Sequence, residues 1–290
     1  MVRRLGRVEM KARRVVEGFL TGLHKSPYRG FSVEFAEHRS YVPGDDPRHI
    51  DWKVYARRER YYIKQYHEET NFVATLLLDA SRSMIFASGP VAKLEYACML
   101  AMAVSLVVLR QNDAVALGIY DRQAGAYLPP GTRLPFIARL SDLLERLEPT
   151  GQTDTGQSLR QLGRQIAGKG IVVVVSDFLD EPDSILDGLK QLKLRGHEVI
   201  ALHVLDPQEL EFPLRGHVRF EGIEADLRIF AEPQRIRDAY LEALNRHLHV
   251  LRLGCTRAGI DYRLTSTARP IDELLLSYLA TRRKLRRTAG

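Results

Sequence analysis

The sequence has 290 residues, of which 45% are hydrophobic and 27% charged, and its formal net charge is +7. This composition is ordinary for a globular protein that buries a core. The two cysteines, Cys98 and Cys255, form no C-x-x-C pattern, which argues against a disulfide framework or zinc site and favours a reducing, cytoplasmic setting.

The sequence predicts neither a signal peptide nor a membrane-spanning segment. Charges interrupt residues 2–10, so no signal peptide is expected, and the most apolar window, residues 96–109, is too short to span a bilayer. The excess positive charge concentrates at 3–14 and 282–287, which allows an acidic partner, nucleic acid or an anionic membrane surface without choosing among them.

Residues 2–24 have apolar side chains at three- and four-residue spacing, which predicts an amphipathic helix. The favoured interpretation is a helix docked on the main domain. A helix lying on a membrane surface is the alternative, and Glu9 and Glu17 count against it.

Residues 25–70 are polar and aromatic, with charges of both signs. A turn is predicted at 43–47, a short helix at 48–58 and a strand at 61–66. The block from Tyr41 to Arg57 has two interpretations of similar weight. It is either a polar arm held by internal ion pairs and anchored by Trp52, or a docking surface for another protein.

From residue 71 onward, strands and helices alternate. Strands are predicted at 72–78, 114–120, 126–128, 171–176, 198–205 and 261–264. Helices are predicted at 92–110, 134–147, 156–167, 183–194, 234–258 and 270–282. Nearly all-apolar strands separated by helices indicate an α/β fold, a mostly parallel sheet covered on both faces. Residues 206–230 interrupt the pattern as an insertion, with strand-like pieces at 218–221 and 227–230.

Three segments rich in oxygen donors can converge at one edge of this sheet. Asp79-Ala80-Ser81-Arg82-Ser83 follows the first strand of the alternating region, residues 151–156 form a turn that opens a helix, and Ser176-Asp177 ends another strand. Ligands of open α/β sheets bind at strand carboxyl ends, where the strand order reverses. If the two strands are neighbours, one small volume is surrounded by Asp79, Ser81, Ser83, Thr153 and Asp177.

Hard oxygen donors of this kind predict a site for Mg²⁺ or Mn²⁺. The serine hydroxyls would bind the ion directly, with Thr153 as the candidate for a third hydroxyl, and the two aspartates would bind directly or through water. Because hydroxyls replace the carboxylates of a tight Ca²⁺ cage, the ion's charge is only partly neutralised. It would therefore attract an acidic residue of a partner, which favours adhesion over catalysis.

Other functions compete with this prediction. A phosphotransferase built on a strand-end aspartate usually needs a second carboxylate where Ser81 stands. The sequence contains no nucleotide-binding glycine loop, no His-Glu-x-x-His and no Gly-x-Ser-x-Gly motif. Two alternatives stay open: a metal-independent nucleic-acid-binding protein that uses the basic termini, and a hydrolase whose metal activates water.

The D-x-S-x-S, Gly-x-Thr-x-Thr and Ser-Asp series resembles the metal-ion-dependent adhesion site of von Willebrand factor A domains. The upstream segment is similar to the signature of the DUF58 family, through residues that include Arg39, Tyr41, Gly44, Asp45, Asp46, Arg48, Asp51, Trp52 and Arg57. The resemblance implies a von Willebrand A-like domain over 71–290, preceded by a helix and signature arm over 1–70. It also implies a non-enzymatic adaptor that works with a MoxR-type AAA+ ATPase in assembling or maturing a protein complex.

Overall fold

The computed structural model of the protein describes residues 12–17, 38–42, 52, 54–55, 60–64, 72–121, 124–133, 135–149, 154–222 and 228–275. The strands are β1 (His38–Ser40), β2 (Tyr62–Lys64), β3 (Val73–Asp79), β4 (Ala114–Tyr120), β5 (Ala124–Gly131), β6 (Gly170–Ser176), β7 (Glu198–Leu205), β8 (Val218–Glu221), β9 (Arg228–Ala231) and β10 (Asp261–Ser266). The α-helices between β3 and β10 are α1 (Lys93–Arg110), α2 (Phe136–Glu145), α3 (Thr155–Gln165), α4 (Pro182–Leu194), α5 (Pro207–Glu211) and α6 (Pro233–Arg257). Apart from α5, these helices and the strands of the alternating region lie where the sequence pattern predicts them.

Six strands form the main sheet, in the order β10-β7-β6-β3-β4-β5. β3 pairs in parallel with β4 on one side and with β6 on the other, whereas β5 runs antiparallel to β4 at one edge. Counted along the chain, this is the doubly wound order 3-2-1-4-5-6, which reverses between β3 and β6. The predicted fold class is confirmed, and the loops after β3 and β6 lie side by side at the carboxyl edge.

Both faces of the sheet are covered by helices. Leu76 and Leu78 of β3 join α1 and α2 in one apolar cluster, whereas Leu77 joins α3, α4 and α6 in the other. This explains why the strands read as unbroken apolar runs. Fifteen residues of α1 are buried, because the helix packs on several sides. Each helix in the described part of the chain is too short or too polar to cross a membrane.

The predicted insertion at 206–230 consists of α5 and the antiparallel hairpin β8–β9. A capping box opens α5: the Glu209 carboxylate accepts a hydrogen bond from the Asp206 backbone N–H at 2.7 Å. Phe212 stacks on Phe220 of the hairpin and on Tyr240 of α6. Helix α5 was not predicted, because five residues are too few to show helical periodicity.

Both ends of the described chain contribute to the core around α1. Residues 12–17 are helical, and Ala12 and Val16 are fully buried in the α1 cluster, which favours the docked interpretation of this helix. Residues 272–275 are helical too, with Leu275 in the same cluster. The other residues of the predicted helices 2–24 and 270–282 lie outside the described ranges.

The arm is described only in part. β1 pairs antiparallel with β2, which lies within the strand predicted at 61–66. Of the predicted helix 48–58, residues 52, 54 and 55 are helical. The remaining residues of that helix and the turn at 43–47 lie outside the described part.

Candidate functional site

Asp79, the last residue of β3, ties the tips of two parallel strands together. Its Oδ1 accepts a hydrogen bond from the Ser81 N–H at 2.9 Å, which turns the chain sharply after the strand. Its Oδ2 accepts a hydrogen bond from the hydroxyl of Ser176, the last residue of β6, at 2.6 Å. The carboxylate is almost completely buried. The predicted meeting of these two strand ends is therefore observed.

The two predicted serine ligands lie next to each other. A short 3-10 helix, Arg82–Ile85, turns the chain so that the Ser83 hydroxyl lies 3.0 Å from that of Ser81. Two adjacent ligands of an octahedral Mg²⁺ with bonds of about 2.1 Å are separated by about 3.0 Å. Ser81 is buried and Ser83 half-buried, so the pair is reached from the solvent side of the loop. Their spacing fits two neighbouring ligands of a small divalent ion.

Asp177 has a partner that the sequence did not indicate. Its Oδ2 lies 2.8 Å from the Nζ of Lys93, and the same Nζ lies 2.6 Å from Oε1 of Glu209 on α5. The Lys93 side chain is fully buried. Burial alone would lower the pKa of Lys93, but the carboxylates of Asp177 and Glu209 outweigh it and raise the pKa above its usual value. Lys93 is therefore a buried cation that links the site to the insertion.

The buried charges favour a cation. Burial, followed by the nearby charge of Asp177, raises the pKa of Asp79 to about 7, although hydrogen bonds from Ser176 and Ser81 oppose the shift. Asp79 lies beside Asp177, and Lys93 pairs with Asp177 and Glu209, so when Asp79 is ionised these four groups together carry a net charge of −2. This excess of negative charge favours a cation at the carboxyl edge. It also refines the charge count from the sequence, which did not include Lys93 and Glu209.

Carboxylates alone do not build the site. Within the described ranges, no cluster of three or more His, Cys, Asp or Glu side chains is arranged to hold a metal ion. A divalent ion at this edge would therefore depend on the hydroxyls of Ser81 and Ser83. The residues present, two adjacent hydroxyls beside buried carboxylates, fit a small hard cation.

The third predicted segment is described from residue 154 onward, so Thr153 lies outside the described part. Asp154 is the N-cap of α3, and its side chain accepts a hydrogen bond from the Gln157 N–H at 2.9 Å. The Thr155 N–H donates to Asp180 in the loop after β6, at 3.0 Å. The start of α3 is thus held beside the β6 tip, at the same edge as Asp79.

Of the signature residues, Tyr41 and Trp52 have described side chains, and Arg39 is described in the backbone of β1. The side chain of Trp52 is 59% exposed and meets the rings of Tyr55 and Tyr61 edge-on. Tyr55 and Tyr61 stack at a centroid distance of 4.5 Å. Trp52 therefore covers an aromatic cluster and is not a buried anchor. Six signature residues lie outside the described part: Gly44, Asp45, Asp46, Arg48, Asp51 and Arg57.

Lys93 and Glu209 are functional candidates that sequence reasoning missed. One local signal pointed to Lys93: it is a lysine in the first turn of a very apolar helix, where the helix dipole disfavours a positive charge. Such a residue needs a compensating partner, but its carboxylates lie 84 and 116 positions away. Glu209 carried no signal beyond its capping position, since α5 itself was not predicted.

Comparison with known proteins gives one family and several relatives. A family model described as "Protein of unknown function DUF58" matches residues 37–250. The uncharacterized protein Rv1480 of Mycobacterium tuberculosis (strain ATCC 25618 / H37Rv) is 28% identical over 244 residues, which cover 83% of this chain and 76% of that protein.

Among solved structures, the conserved hypothetical protein BatB from Bacteroides thetaiotaomicron is similar at 15% identity and a TM-score of 0.48, over 72% of this chain and 99% of BatB. The SpRpn10 VWA domain is similar at 10% identity and a TM-score of 0.43, over 71% of this chain and 94% of that domain. The range matched by the family model includes Asp79, Lys93, Asp177 and Glu209.

Proposed function

The chain belongs to the DUF58 family, and we propose that it is a non-enzymatic protein-interaction module that binds its partner at the carboxyl edge of the main sheet. The observation that carries this proposal is the group of buried charges and paired hydroxyls at the tips of β3 and β6. These groups lie at the switch point of the sheet, where ligands of doubly wound folds bind. They combine a surplus of negative charge with two adjacent hydroxyls, of which that of Ser81 is buried and that of Ser83 is partly exposed.

The proposed interaction depends on Mg²⁺ or Mn²⁺. Ser81 and Ser83 would hold the ion through their hydroxyls, with Thr153 as a third hydroxyl, while Asp79 and Asp177 would orient its water ligands. When bound, the ion supplies an open coordination position for a carboxylate of the partner. Lys93 holds one oxygen of Asp177 in place and keeps that carboxylate from neutralising the ion fully. The exposed Arg82 adds positive charge on the partner-facing side.

Adhesion suits the described residues better than hydrolysis does. A metal hydrolase needs a general base with a pKa near neutrality beside its bound water. Asp177 is already paired with Lys93. His203, on the neighbouring strand β7, is buried, its Nδ1 lies 2.7 Å from the Tyr262 hydroxyl, and burial lowers its pKa to about 3. The pKa of Asp79 is raised to about 7, but its carboxylate is almost completely buried, and its hydrogen bonds from the Ser176 hydroxyl and the Ser81 N–H hold the two strand tips together.

The partner that family resemblance implies is a MoxR-type AAA+ ATPase. In this proposal the chain acts in the cytoplasm as an adaptor in assembly or maturation of a protein complex. The two cysteines are free and buried, which suits a reducing compartment. The partner would present an aspartate or glutamate to the metal, so a chelator should release it.

Calorimetric titration of Mg²⁺ into the full chain tests the metal requirement. We expect Asp79→Asn to weaken Mg²⁺ binding at least about tenfold, because the change removes a charge and an acceptor that orient the site. Asp113→Asn is the matched control: Asp113 is also a buried carboxylate but precedes β4, at the opposite edge of the sheet. Equal heats for wild type and Asp79→Asn would reject the metal site.

Capture of the ATPase by the immobilised chain tests the interaction itself. We expect capture with Mg²⁺ and its loss with chelator or with Asp79→Asn. Nucleic-acid binding through the basic termini predicts the opposite pattern: it would weaken steeply with salt and survive Asp79→Asn. Turnover of a phosphoester or peptide that is lost with Asp79→Asn would instead favour the hydrolase.

A further inference from the structure

The hydroxyl of Tyr120 is a buried donor without a hydrogen-bond partner among the described residues. Tyr120 is the last residue of β4, and its side chain is fully buried. An unsatisfied buried hydroxyl is costly, and native proteins usually satisfy such a group with water, an ion or a ligand. This hydroxyl therefore points to a bound group beside it.

Strand register places Tyr120 directly next to the site. Tyr120 pairs with Asp79 across the parallel strands β4 and β3, and the Ala80 N–H donates to the Tyr120 carbonyl at 2.7 Å. Side chains at paired positions of neighbouring strands point to the same face of the sheet. Burial, followed by the charge of Asp79, raises the pKa of Tyr120. The phenol thus faces the buried carboxylates.

The neighbouring protein groups leave this phenol without a partner. Asp79 already accepts one hydrogen bond on each carboxylate oxygen, from the Ser81 N–H and from the Ser176 hydroxyl. Ser176 gives its proton to Asp79 and accepts from the Phe178 N–H at 2.8 Å. The Ser176 hydroxyl interacts with the phenol and lowers the pKa of Tyr120, but the two groups do not have the geometry of a hydrogen bond, so the phenol proton has no acceptor among the described residues.

We propose that Tyr120 is a positioning residue of the carboxyl-edge site, whose O–H donates to a water or ligand oxygen held beside Asp79 when the divalent ion is bound. This inference rests on the proposed metal site and adds a residue that the predicted ligand set lacks. The phenol is satisfied only in the loaded state, so it contributes to ion affinity and not to the stability of the empty protein.

Tyr120→Phe removes only the oxygen atom and is the direct test in the full chain. We expect its melting temperature in chelator to equal that of wild type or exceed it, since no hydrogen bond is lost. We expect its Mg²⁺ affinity to fall about tenfold, the effect typical of groups that orient metal ligands. Mg²⁺ should also induce a tyrosine absorbance difference in wild type that Tyr120→Phe lacks.

Tyr96→Phe is the matched control, because Tyr96 is equally buried and its hydroxyl donates to the Arg269 carbonyl at 3.0 Å. It should lower the melting temperature in chelator and leave both Mg²⁺ affinity and the absorbance difference unchanged. If wild type binds Mg²⁺ and Tyr120→Phe binds it equally well, the role of Tyr120 is refuted while the metal site stands. A lower melting temperature of Tyr120→Phe in chelator would also refute it. Absence of Mg²⁺ binding in wild type would overturn both proposals.

Discussion

Replacing Lys93 by methionine removes the single buried cation described between Asp177 and Glu209. At an effective dielectric constant of 20, each carboxylate attracts the ammonium by about 6 kcal/mol at the observed separations of 2.8 and 2.6 Å. Much of this offsets the cost of taking three ions out of water. Breaking a buried pair still costs about 3–5 kcal/mol, because unpaired buried charges remain. We expect Lys93→Met to lower the free energy of unfolding by that amount.

Urea unfolding in chelator measures this loss, and Lys193→Met is its control. Lys193 pairs with Glu198 at an equally short 2.7 Å, but both side chains are about one-third exposed. Pairs near the surface contribute about 1 kcal/mol or less. The double variant Lys93→Met/Glu209→Gln should recover part of the loss, since it removes one of the unpaired charges. Equal losses for Lys93→Met and Lys193→Met would refute the buried-cation argument.

The same variant tests how Lys93 affects the ion. Without Lys93, the net charge of the group formed by Asp79, Asp177 and Glu209 changes from −2 to −3. Mg²⁺ should therefore stabilise Lys93→Met more than it stabilises wild type. If Mg²⁺ stabilised both proteins equally, Lys93 would have no effect on the electrostatic attraction between the site and the ion.

Two further predictions concern the pH dependence and the helix packing beside the site. Because the folded-state pKa of Asp79 is raised to about 7, the folded protein binds the Asp79 proton more tightly than the unfolded chain does. In chelator, Asp79 should thus lower the free energy of unfolding as the pH rises from about 4 to 7, by at most about 1.4 kcal/mol per unit. The free energy of unfolding of Asp79→Asn should not show this decrease with pH. Identical pH profiles for wild type and Asp79→Asn would contradict the raised pKa of Asp79. A Cβ on Gly156 would lie 2.2 Å from the Ser184 carbonyl oxygen, so Gly156→Ala should cost about 1–3 kcal/mol in urea unfolding. Gly89→Ala has open space and is the control, and a similar effect of both changes would show that α3 and α4 tolerate separation.

The fold was predictable because its strands are buried on both faces. Runs such as the valines of β6 leave few alternatives to a central parallel strand, and the alternation with helices then fixes the fold class. The closeness of Asp79 and the β6 tip followed from topology, since two parallel neighbours end at one edge. Site residues at the ends of strands, such as Asp79, could therefore be predicted from the sequence.

Lys93, Glu209 and Tyr120 could not be found in this way, because their roles arise from contacts between distant segments. A lysine at the start of a helix is usually solvated, and an aromatic residue at a strand end is usually part of the core. Only the packed structure shows that Lys93 lies between two carboxylates and that the Tyr120 hydroxyl lacks a partner. Short elements such as α5 escape prediction for a related reason: tertiary contacts, and not local periodicity, stabilise them.

The burial of Ala12, Val16 and Leu275 in one cluster with α1 has a consequence for how the chain can be synthesised and shortened. Segments from near the start and near the end of the chain complete the same apolar layer, so the layer stays open until almost the whole chain has been made. A nascent chain that stops after β7 would carry α1 with part of its surface bare, a state prone to aggregation. A fragment cut at the predicted boundary near residue 70 would keep the carboxyl-edge residues but lose part of this cover. The carboxyl-edge site therefore needs the segments around residues 12–17 and 272–275 for a closed core.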